Sequence, residues 1–225
     1  WTLVVESFDG TLASVANGTI VVDVNDVNDL PYLFGPTTAT TAENVALGTE
    51  VTSRFWATDE DAGAVLSIQL IRVYKVSGPG NAALAPFSFD AGSGKVVVNG
   101  TVDFEAVTQW KAELQASDGV GSSNIITTTI TVTNVNEAPT ITAPSGSPFD
   151  INENSALNAL VSGATFTAAD PDAGATITFR FKGTQSCTGT VSGAPTNPFV
   201  VDSSTGVVKV GTPAMLSYEN CTQWT

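Results

Sequence analysis

Short motifs that pair two carboxylates are the feature of this sequence best suited to chemistry. Asp59 and Asp61 form an Asp-x-Asp motif, and Asp103 and Glu105 form an Asp-x-Glu motif. Side chains two residues apart in an extended strand point to the same side, so each motif presents two carboxylates together. Carboxylate and carbonyl oxygens are the ligands that Ca²⁺ prefers. The motifs therefore indicate hard-cation binding, although a plain Asp-Gly turn is the alternative for any one of them.

The acidic motifs recur because the sequence contains an internal repeat. The segment 59–63, Asp-Glu-Asp-Ala-Gly, matches 170–174, Asp-Pro-Asp-Ala-Gly, and Thr-Gln-Trp at 108–110 recurs at 222–224. Three parts are predicted from the repeat. Residues 1–31 would be the C-terminal strands of a preceding repeat, 32–139 a complete repeat, and 140–225 a repeat without its last strands.

The points of the repeat at which the chain starts and ends predict that this sequence is a segment of a longer array of repeats. Trp1 falls at the same point of the repeat as Trp110 and Trp224. An isolated hairpin is marginally stable in water, so residues 1–31 are not expected to stand alone. Completion of one chain's last repeat by the first strands of another chain is the alternative to covalent continuation.

Alternation of apolar and polar residues predicts short β-strands and no helix. Trp110, Ala112, Leu114 and Ala116 alternate with polar residues, and a β-branched run follows at 126–133. Two further strands are predicted at 51–57, with Val51, Ser53, Phe55 and Ala57 on one face, and at 160–168, with Leu160, Ser162, Ala164, Phe166 and Ala168 on one face. These units of about 100 residues predict an all-β fold of tandem Greek-key antiparallel β-sandwiches.

The ordered set of motifs resembles the extracellular cadherin domain over essentially the whole chain. Its pieces in the first repeat are Glu43-Asn44, Asp59-x-Asp61, Phe87-Ser88-Phe89-Asp90, Asp103-Phe104-Glu105, Ala116-Ser117-Asp118-Gly119 and the linker Asn134-x-Asn136-Glu137-x-Pro139. The resemblance implies a cadherin- or immunoglobulin-like sandwich with Ca²⁺ as the cofactor at junctions between repeats. The linker is one residue shorter than the usual cadherin form, and Ser217 replaces the aspartate of the second Asp-x-Glu motif.

The resemblance implies two sets of calcium ligands. At the junction between 32–139 and 140–225 they are Glu43, Asp103, Glu105, Asn134, Asn136, Glu137, Asp170 and Asp172, and at the junction before residue 32 they are Asp26, Asn28, Asp29, Asp59, Asp61 and Asp118. Two unit charges ~4 Å apart repel by about 4 kcal/mol at an effective dielectric near 20. Two or three Ca²⁺ would bring four to six positive charges to offset the six carboxylates of the first set.

The cysteines and the glycosylation sequons point to an extracellular protein. Cys187 and Cys221 are the two cysteines, and they predict one disulfide, with two unrelated buried thiols as the alternative. Three Asn-x-Thr sequons begin at Asn17, Asn99 and Asn220, and each is a candidate glycan site on a surface loop. These features predict the secretory pathway and the cell surface.

Composition excludes several classes of function. The chain has no His, so it contains neither a Ser-His-Asp triad nor a His-ligated zinc. Its 22 acidic residues outnumber 8 scattered Lys and Arg residues, which argues against nucleic-acid binding. No apolar run in the sequence is long enough to cross a membrane. An enzyme is not expected, because the acidic motifs recur in each repeat, as catalytic pairs do not.

Two functions stay open from the sequence. The first is a calcium-rigidified structural or adhesive segment of a large extracellular protein, a fibre or appendage included, whose partners are copies of itself, neighbouring repeats or other cell-surface proteins. The second is a calcium-independent carbohydrate- or matrix-binding β-sandwich. The second needs an exposed aromatic platform, and the strand parity predicts instead that Trp56 and Trp110 lie in the core.

Overall fold

The computed structural model describes residues 1–76, 85–183, 185–188, 197–219 and 221–225. Contacts divide the chain into two compact units, Trp1–Asn134 and Val135–Thr225. The described residues form β-strands and one short 3₁₀ turn at Pro213–Met215, without an α-helix. The all-β prediction is therefore confirmed, and no helix in the described ranges has the length and apolar character of a membrane span.

Ten strands are described in the first unit, and they are numbered in chain order. They are β1 (Thr2–Val5), β2 (Gly18–Val21), β3 (Tyr32–Phe34), β4 (Thr38–Ala42), β5 (Trp56–Thr58), β6 (Ser67–Lys75), β7 (Phe87–Asp90), β8 (Lys95–Val98), β9 (Gln109–Ser117) and β10 (Ser122–Thr133). A four-stranded sheet has the order β4-β10-β9-β6, and β3 pairs with β5, β7 with β8 and β1 with β2. All of these pairs are antiparallel except β4 and β10, which run parallel.

The core of the first unit follows the alternation that the sequence predicts for β9 and β10. Trp110, Ala112, Leu114 and Ala116 are buried on one face of β9, and Ile130 and Val132 are buried on β10. They pack with Leu33, Phe55, Phe87, Val96, Val98 and Val102 from the other strands and loops. The Trp110 ring meets Phe87 edge to face, with 6.1 Å between ring centroids.

Seven strands are described in the second unit. They are β11 (Thr140–Thr142), β12 (Leu160–Thr165), β13 (Thr167–Ala169), β14 (Cys187–Thr188), β15 (Phe199–Val201), β16 (Val207–Val210) and β17 (Gln223–Trp224). Their sheets have the orders β12-β16-β15, β11-β13 and β14-β17. Val161, Ala164 and Val208 are the buried centre, against which Phe149, Ile151, Phe166 and Phe199 pack.

The predicted parity of strands 51–57 and 160–168 is only partly correct. In the first segment only Trp56–Thr58 is a strand. Phe55 is buried and Val51 and Ala57 pack against the core as predicted, whereas Ser53 is exposed and Thr52 is buried instead. In the second segment Val161 and Ala164 are buried, whereas Leu160 is exposed. The pairing of β12 with β16 shifts register between Leu160 and Thr165, so an irregularity replaces simple alternation. Gly163, with a φ of 80°, lies inside this irregular stretch.

Trp56 does not lie in the core, contrary to the prediction from strand parity. Its side chain is 48% exposed, whereas Trp110 is 8% exposed as predicted. Phe55 and Ala57 take the inward positions of this segment, so Trp56 between them points outward by the regular alternation of a strand.

Candidate metal centre

Three acidic side chains of the first unit form a cluster with metal-binding geometry. Glu43, Asp103 and Glu105 each place a carboxylate oxygen within 4.8 Å of the others. Glu43 is only 3% exposed, whereas Asp103 and Glu105 are open to solvent. Folding thus brings together three of the ligands that the sequence predicts, from two distant segments of the chain.

Backbone hydrogen bonds fix Glu43 directly after β4. Its N–H donates to the carbonyl of Thr133 at 3.1 Å, and its Oε2 accepts the N–H of Phe104 at 2.9 Å. Asn44 follows with a φ of 56°, and its N–H donates to the carbonyl of Val102 at 3.0 Å. Asparagine tolerates this left-handed conformation better than most residues. The Glu-Asn pair therefore turns the chain while the carboxylate of Glu43 stays buried.

A tight turn after Val102 presents the other two carboxylates of the cluster. Asp103 Oδ1 accepts the N–H of Ala106 at 2.9 Å, and the N–H of Val107 donates to the Asp103 carbonyl at 3.0 Å. Asn134 Nδ2 donates to Glu105 Oε1 at 3.2 Å, which adds a predicted linker ligand to this group. The resulting donor set consists of oxygen atoms, as hard cations require.

A second acidic group joins the segment before β3 to the loop after β5. The N–H of Asp29 donates to Asp61 Oδ2 at 2.8 Å, and the N–H of Asp61 donates to Asp59 Oδ1 at 2.9 Å. Asn28 Nδ2 donates to the carbonyl of Asp29 at 2.6 Å. Asp59 Oδ2 is buried without a hydrogen-bond partner among the described residues. Such an orphaned acceptor costs about 1–3 kcal/mol, so this atom suits a bound cation.

Asp118 extends this second group from the turn between β9 and β10. Its Oδ1 accepts the N–H groups of Gly121 at 2.6 Å and Val120 at 2.7 Å, and its Oδ2 accepts Asn28 Nδ2 at 3.1 Å. These hydrogen bonds, that of Gly121 first, lower the pKa of Asp118 below its usual value. These bonds favour the charged carboxylate of Asp118.

The second unit repeats the same pattern with different linker residues. The N–H of Glu137 donates to Asp172 Oδ2 at 2.7 Å, and the N–H of Asp172 donates to Asp170 Oδ1 at 2.9 Å. Asn136 Nδ2 donates to the carbonyl of Glu137 at 3.0 Å. The geometry is that of the Asp59 group, although the linker has Glu137 where the first has Asp29. The Asp-x-Asp motif therefore forms the same hydrogen bonds in both units, whichever acidic residue the linker supplies.

The second unit also contains a counterpart of the Glu43 cluster. Glu153 Oε2 accepts the N–H of Tyr218 at 3.0 Å, and Asn154 has a φ of 57°. Ser217 stands at the position of Asp103, and its hydroxyl donates to Glu219 Oε2 at 3.0 Å. The pKa of Glu219 is lowered by its own backbone N–H and by Ser217. This group has one carboxylate fewer than the Glu43 cluster.

The predicted ligands fall into three hydrogen-bonded or clustered sets within the two units. The sets are Glu43, Asp103, Glu105 and Asn134, then Asn28, Asp29, Asp59, Asp61 and Asp118, then Asn136, Glu137, Asp170 and Asp172. Asp26 is exposed on the segment between β2 and β3 and joins none of these sets. No role was predicted for Asn44 and Asn154, although the Glu-Asn pair recurs at the same point of both repeats.

The predicted disulfide and sequons have defined positions. A disulfide joins Cys187 in β14 to Cys221, which precedes β17, and these two strands pair with each other. Asn17 and Asn99 are exposed, as the attachment of a glycan requires. Asn220 lies outside the described residues, and glycosylation at all three sequons stays a prediction.

Comparison with known proteins finds sequence relatives of this chain, although no protein-family model matches it. The human cadherin EGF LAG seven-pass G-type receptor 2 is 30% identical over 97% of the chain, and human protocadherin gamma-A11 is 34% identical over 69% of it. The chain spans only 7% and 16% of the length of these two relatives.

A solved structure shares the fold. Extracellular cadherin domains 1–5 of protocadherin gamma B2 superimpose with a TM-score of 0.61 at 22% identity, over 97% of this chain and 40% of that one. Sequence relatives and fold thus agree with the motifs that the structure groups around its carboxylates. The chain is built from cadherin repeats.

Proposed function

We propose that this chain is a calcium-stiffened adhesive or structural segment of a large extracellular protein. The observation that carries the proposal is the cluster of Glu43, Asp103 and Glu105, whose ligand oxygens lie within 4.8 Å of one another. The matched Asp59 and Asp170 groups support it, because each unit arranges the same kind of ligands in the same way. The partners would be copies of the chain, neighbouring repeats or other cell-surface proteins.

Electrostatics favours a cation at the Glu43 cluster. Its three carboxylates lie within 4.8 Å of one another and repel each other in pairs, although water screens the exposed Asp103 and Glu105. Because Glu43 is buried, water screens the charge of its carboxylate only weakly. A bound divalent cation would attract all three carboxylates and offset the repulsion between them.

The donor chemistry favours Ca²⁺ over other cations. The groups offer carboxylate, amide and backbone oxygens, with no His in the sequence and both Cys in a disulfide. Soft transition metals lack their usual ligands here. Mg²⁺ requires near-ideal octahedral geometry and keeps several waters, whereas Ca²⁺ accepts 6–8 oxygens in irregular arrangements. The mixture of side chains in these groups suits Ca²⁺.

Calcium would act mechanically in this role. When it is bound, it neutralises the carboxylates of each group and holds the turns and linker segments that carry them. When it is removed, repulsion among the same carboxylates loosens these segments. The sharing of ions between consecutive repeats stays a prediction of the sequence.

Isothermal titration calorimetry with calcium tests the proposal. The double variant Asp103→Asn/Glu105→Gln should lose at least one binding event or weaken it by at least about tenfold, which is ~1.4 kcal/mol. Glu6→Gln is the matched control, because Glu6 is exposed and outside the ligand sets, and it should bind as the wild type does. Absence of saturable binding to the wild type would reject the proposal.

A further inference from the structure

Three aromatic side chains lie on the outer face of the β3–β5 pair. Tyr32 is 55% exposed and Trp56 is 48% exposed, while Phe34 between them is half-buried. The Phe34 and Trp56 rings stack with centroids 4.1 Å apart and 10° between their planes, and Tyr32 and Phe34 have centroids 4.7 Å apart. We call Tyr32, Phe34 and Trp56 the aromatic patch.

The aromatic patch is not part of the core. Leu33, between two patch residues on β3, points inward and is 1% exposed. On the other strand, Phe55 and the half-buried Ala57 pack in the core while Trp56 points outward. The strand pair thus buries its inner face and presents its aromatic side chains to solvent.

The second unit shows that the fold does not need aromatic residues at these positions. Its β11–β13 pair is the counterpart of β3–β5, and Thr142 pairs with Thr167 there as Phe34 pairs with Trp56. Thr140 stands at the position of Tyr32. All three threonines are exposed. The repeat therefore tolerates small polar residues on this face, and the aromatic side chains of the first unit are not needed to form the strand pair.

The size and charge of the patch limit what it can bind. Full burial of three aromatic side chains removes on the order of 500 Å² from water, and here part of that area is already covered by the chain itself. A stable protein–protein interface needs about 800 Å² from each partner. The chain carries a net charge of -14, and none of the patch residues is charged, so an anionic ligand is disfavoured.

We propose that the aromatic patch is a binding site for a neutral saccharide. The C–H face of a pyranose ring is apolar and packs on aromatic side chains, while its hydroxyl groups need polar partners at the edge. Thr58 lies directly across from Tyr32, so these two residues supply hydroxyl groups on the same face of the strand pair. An open surface site of this kind binds weakly, with a Kd on the order of 1 mM.

Titration with neutral oligosaccharides tests this site. Cellohexaose, chitohexaose and mannohexaose are titrated separately into the full chain in calcium buffer, with amide NMR shifts as the measurement. At least one of them should give saturable shifts in β3 and β5. The variant Phe34→Thr/Trp56→Thr takes the residues of the second unit and should weaken binding by at least about tenfold.

Two controls separate binding from folding. Leu47→Thr replaces another exposed apolar residue of the first unit and should bind as the wild type does. The patch variant should keep the circular dichroism spectrum of the wild type, because threonines occupy the counterpart positions in the second unit. Absence of saturable binding to any of the three sugars overturns the proposal. So does a concentration-dependent dimer that the patch variant abolishes, because the patch would then bind protein.

Discussion

Backbone hydrogen bonds orient individual carboxylates in this chain. Glu43 and Glu153 each accept a backbone N–H from the turn that carries the other acidic residues of their unit, at 2.9 and 3.0 Å. Asp61 and Asp172 each accept the N–H of a linker residue, at 2.8 and 2.7 Å. The side chains are therefore oriented by the fold before any ion binds, which lowers the entropic cost of binding.

The sequence revealed most of these residues, but not how they are held. Spacing identified Asp59 and Asp61, although both lie in the turn after β5 and not in the extended strand from which their common orientation was predicted. The buried position of Glu43 depends on Phe104 and Thr133, which are distant in sequence. Contacts of that kind leave no local pattern, so sequence analysis cannot find them.

The substitution Glu43→Gln should have opposite effects with and without calcium. In EGTA the variant should melt at or above the wild-type temperature, because one repelling charge is removed. In saturating calcium it should melt below the wild type, because a ligand is weakened. Differential scanning calorimetry measures both, with Glu6→Gln as the control. Equal melting temperatures for variant and wild type in calcium would contradict the role of Glu43.

The pair of Asp202 and Lys209 predicts a pH dependence in the second unit. Lys209 Nζ lies 2.6 Å from Asp202 Oδ2 and lowers the pKa of this carboxyl well below its usual value. A lowered pKa in the folded state contributes stability above pH ~3.9, the unfolded value, and this stability is lost as the pH falls through the folded pKa. Urea unfolding of Asp202→Asn should show a shallower loss of stability below pH ~4 than the wild type. Equal losses of stability in the variant and the wild type would show that this pair does not contribute to the pH dependence.

At the scale of elements, the strands follow their pattern where they are regular. β9 alternates buried and half-buried residues along its full length. The prediction failed before β5 and within β12, where irregular backbone places Thr52 and Val161 inward and breaks the period of two. Such irregularities depend on pairing with other strands, so alternation within one segment does not reveal them.

Two tryptophans in neighbouring sheets should respond differently to truncation. Trp110→Ala should destabilise the first unit by about 3–5 kcal/mol, because it opens a cavity beside Phe87. Trp56→Ala should cost less than about 1.5 kcal/mol, since it removes an exposed side chain and one stacking contact. Urea unfolding in calcium buffer measures both changes. Similar losses for the two variants would show that Trp56 supports the core.

Charge is the dominant property of the chain taken as a whole. The net charge of -14 produces self-repulsion, which destabilises a folded chain. Length, repeat period and motif order were enough to predict tandem cadherin-like sandwiches from the sequence. The division into residues 1–31, 32–139 and 140–225 stays a prediction, while contacts in the structure separate the chain after Asn134.

Chelation should increase the flexibility of the whole chain. Small-angle X-ray scattering in EGTA should show a broader distribution of distances than in calcium. High salt should partly reverse this change, because the Debye length falls from ~10 Å at 0.1 M to ~3 Å at 1 M and screens the carboxylates. A distribution that is the same in calcium and in EGTA would contradict calcium stiffening.

A crystal structure of the chain grown in calcium tests calcium binding most directly. We expect strong density among Glu43, Asp103 and Glu105, with oxygen ligands at about 2.3–2.6 Å. We also expect an ion in contact with Asp59 Oδ2. Carboxylates of both groups surrounded only by water, in crystals that contain saturating calcium, would show that these residues do not bind calcium.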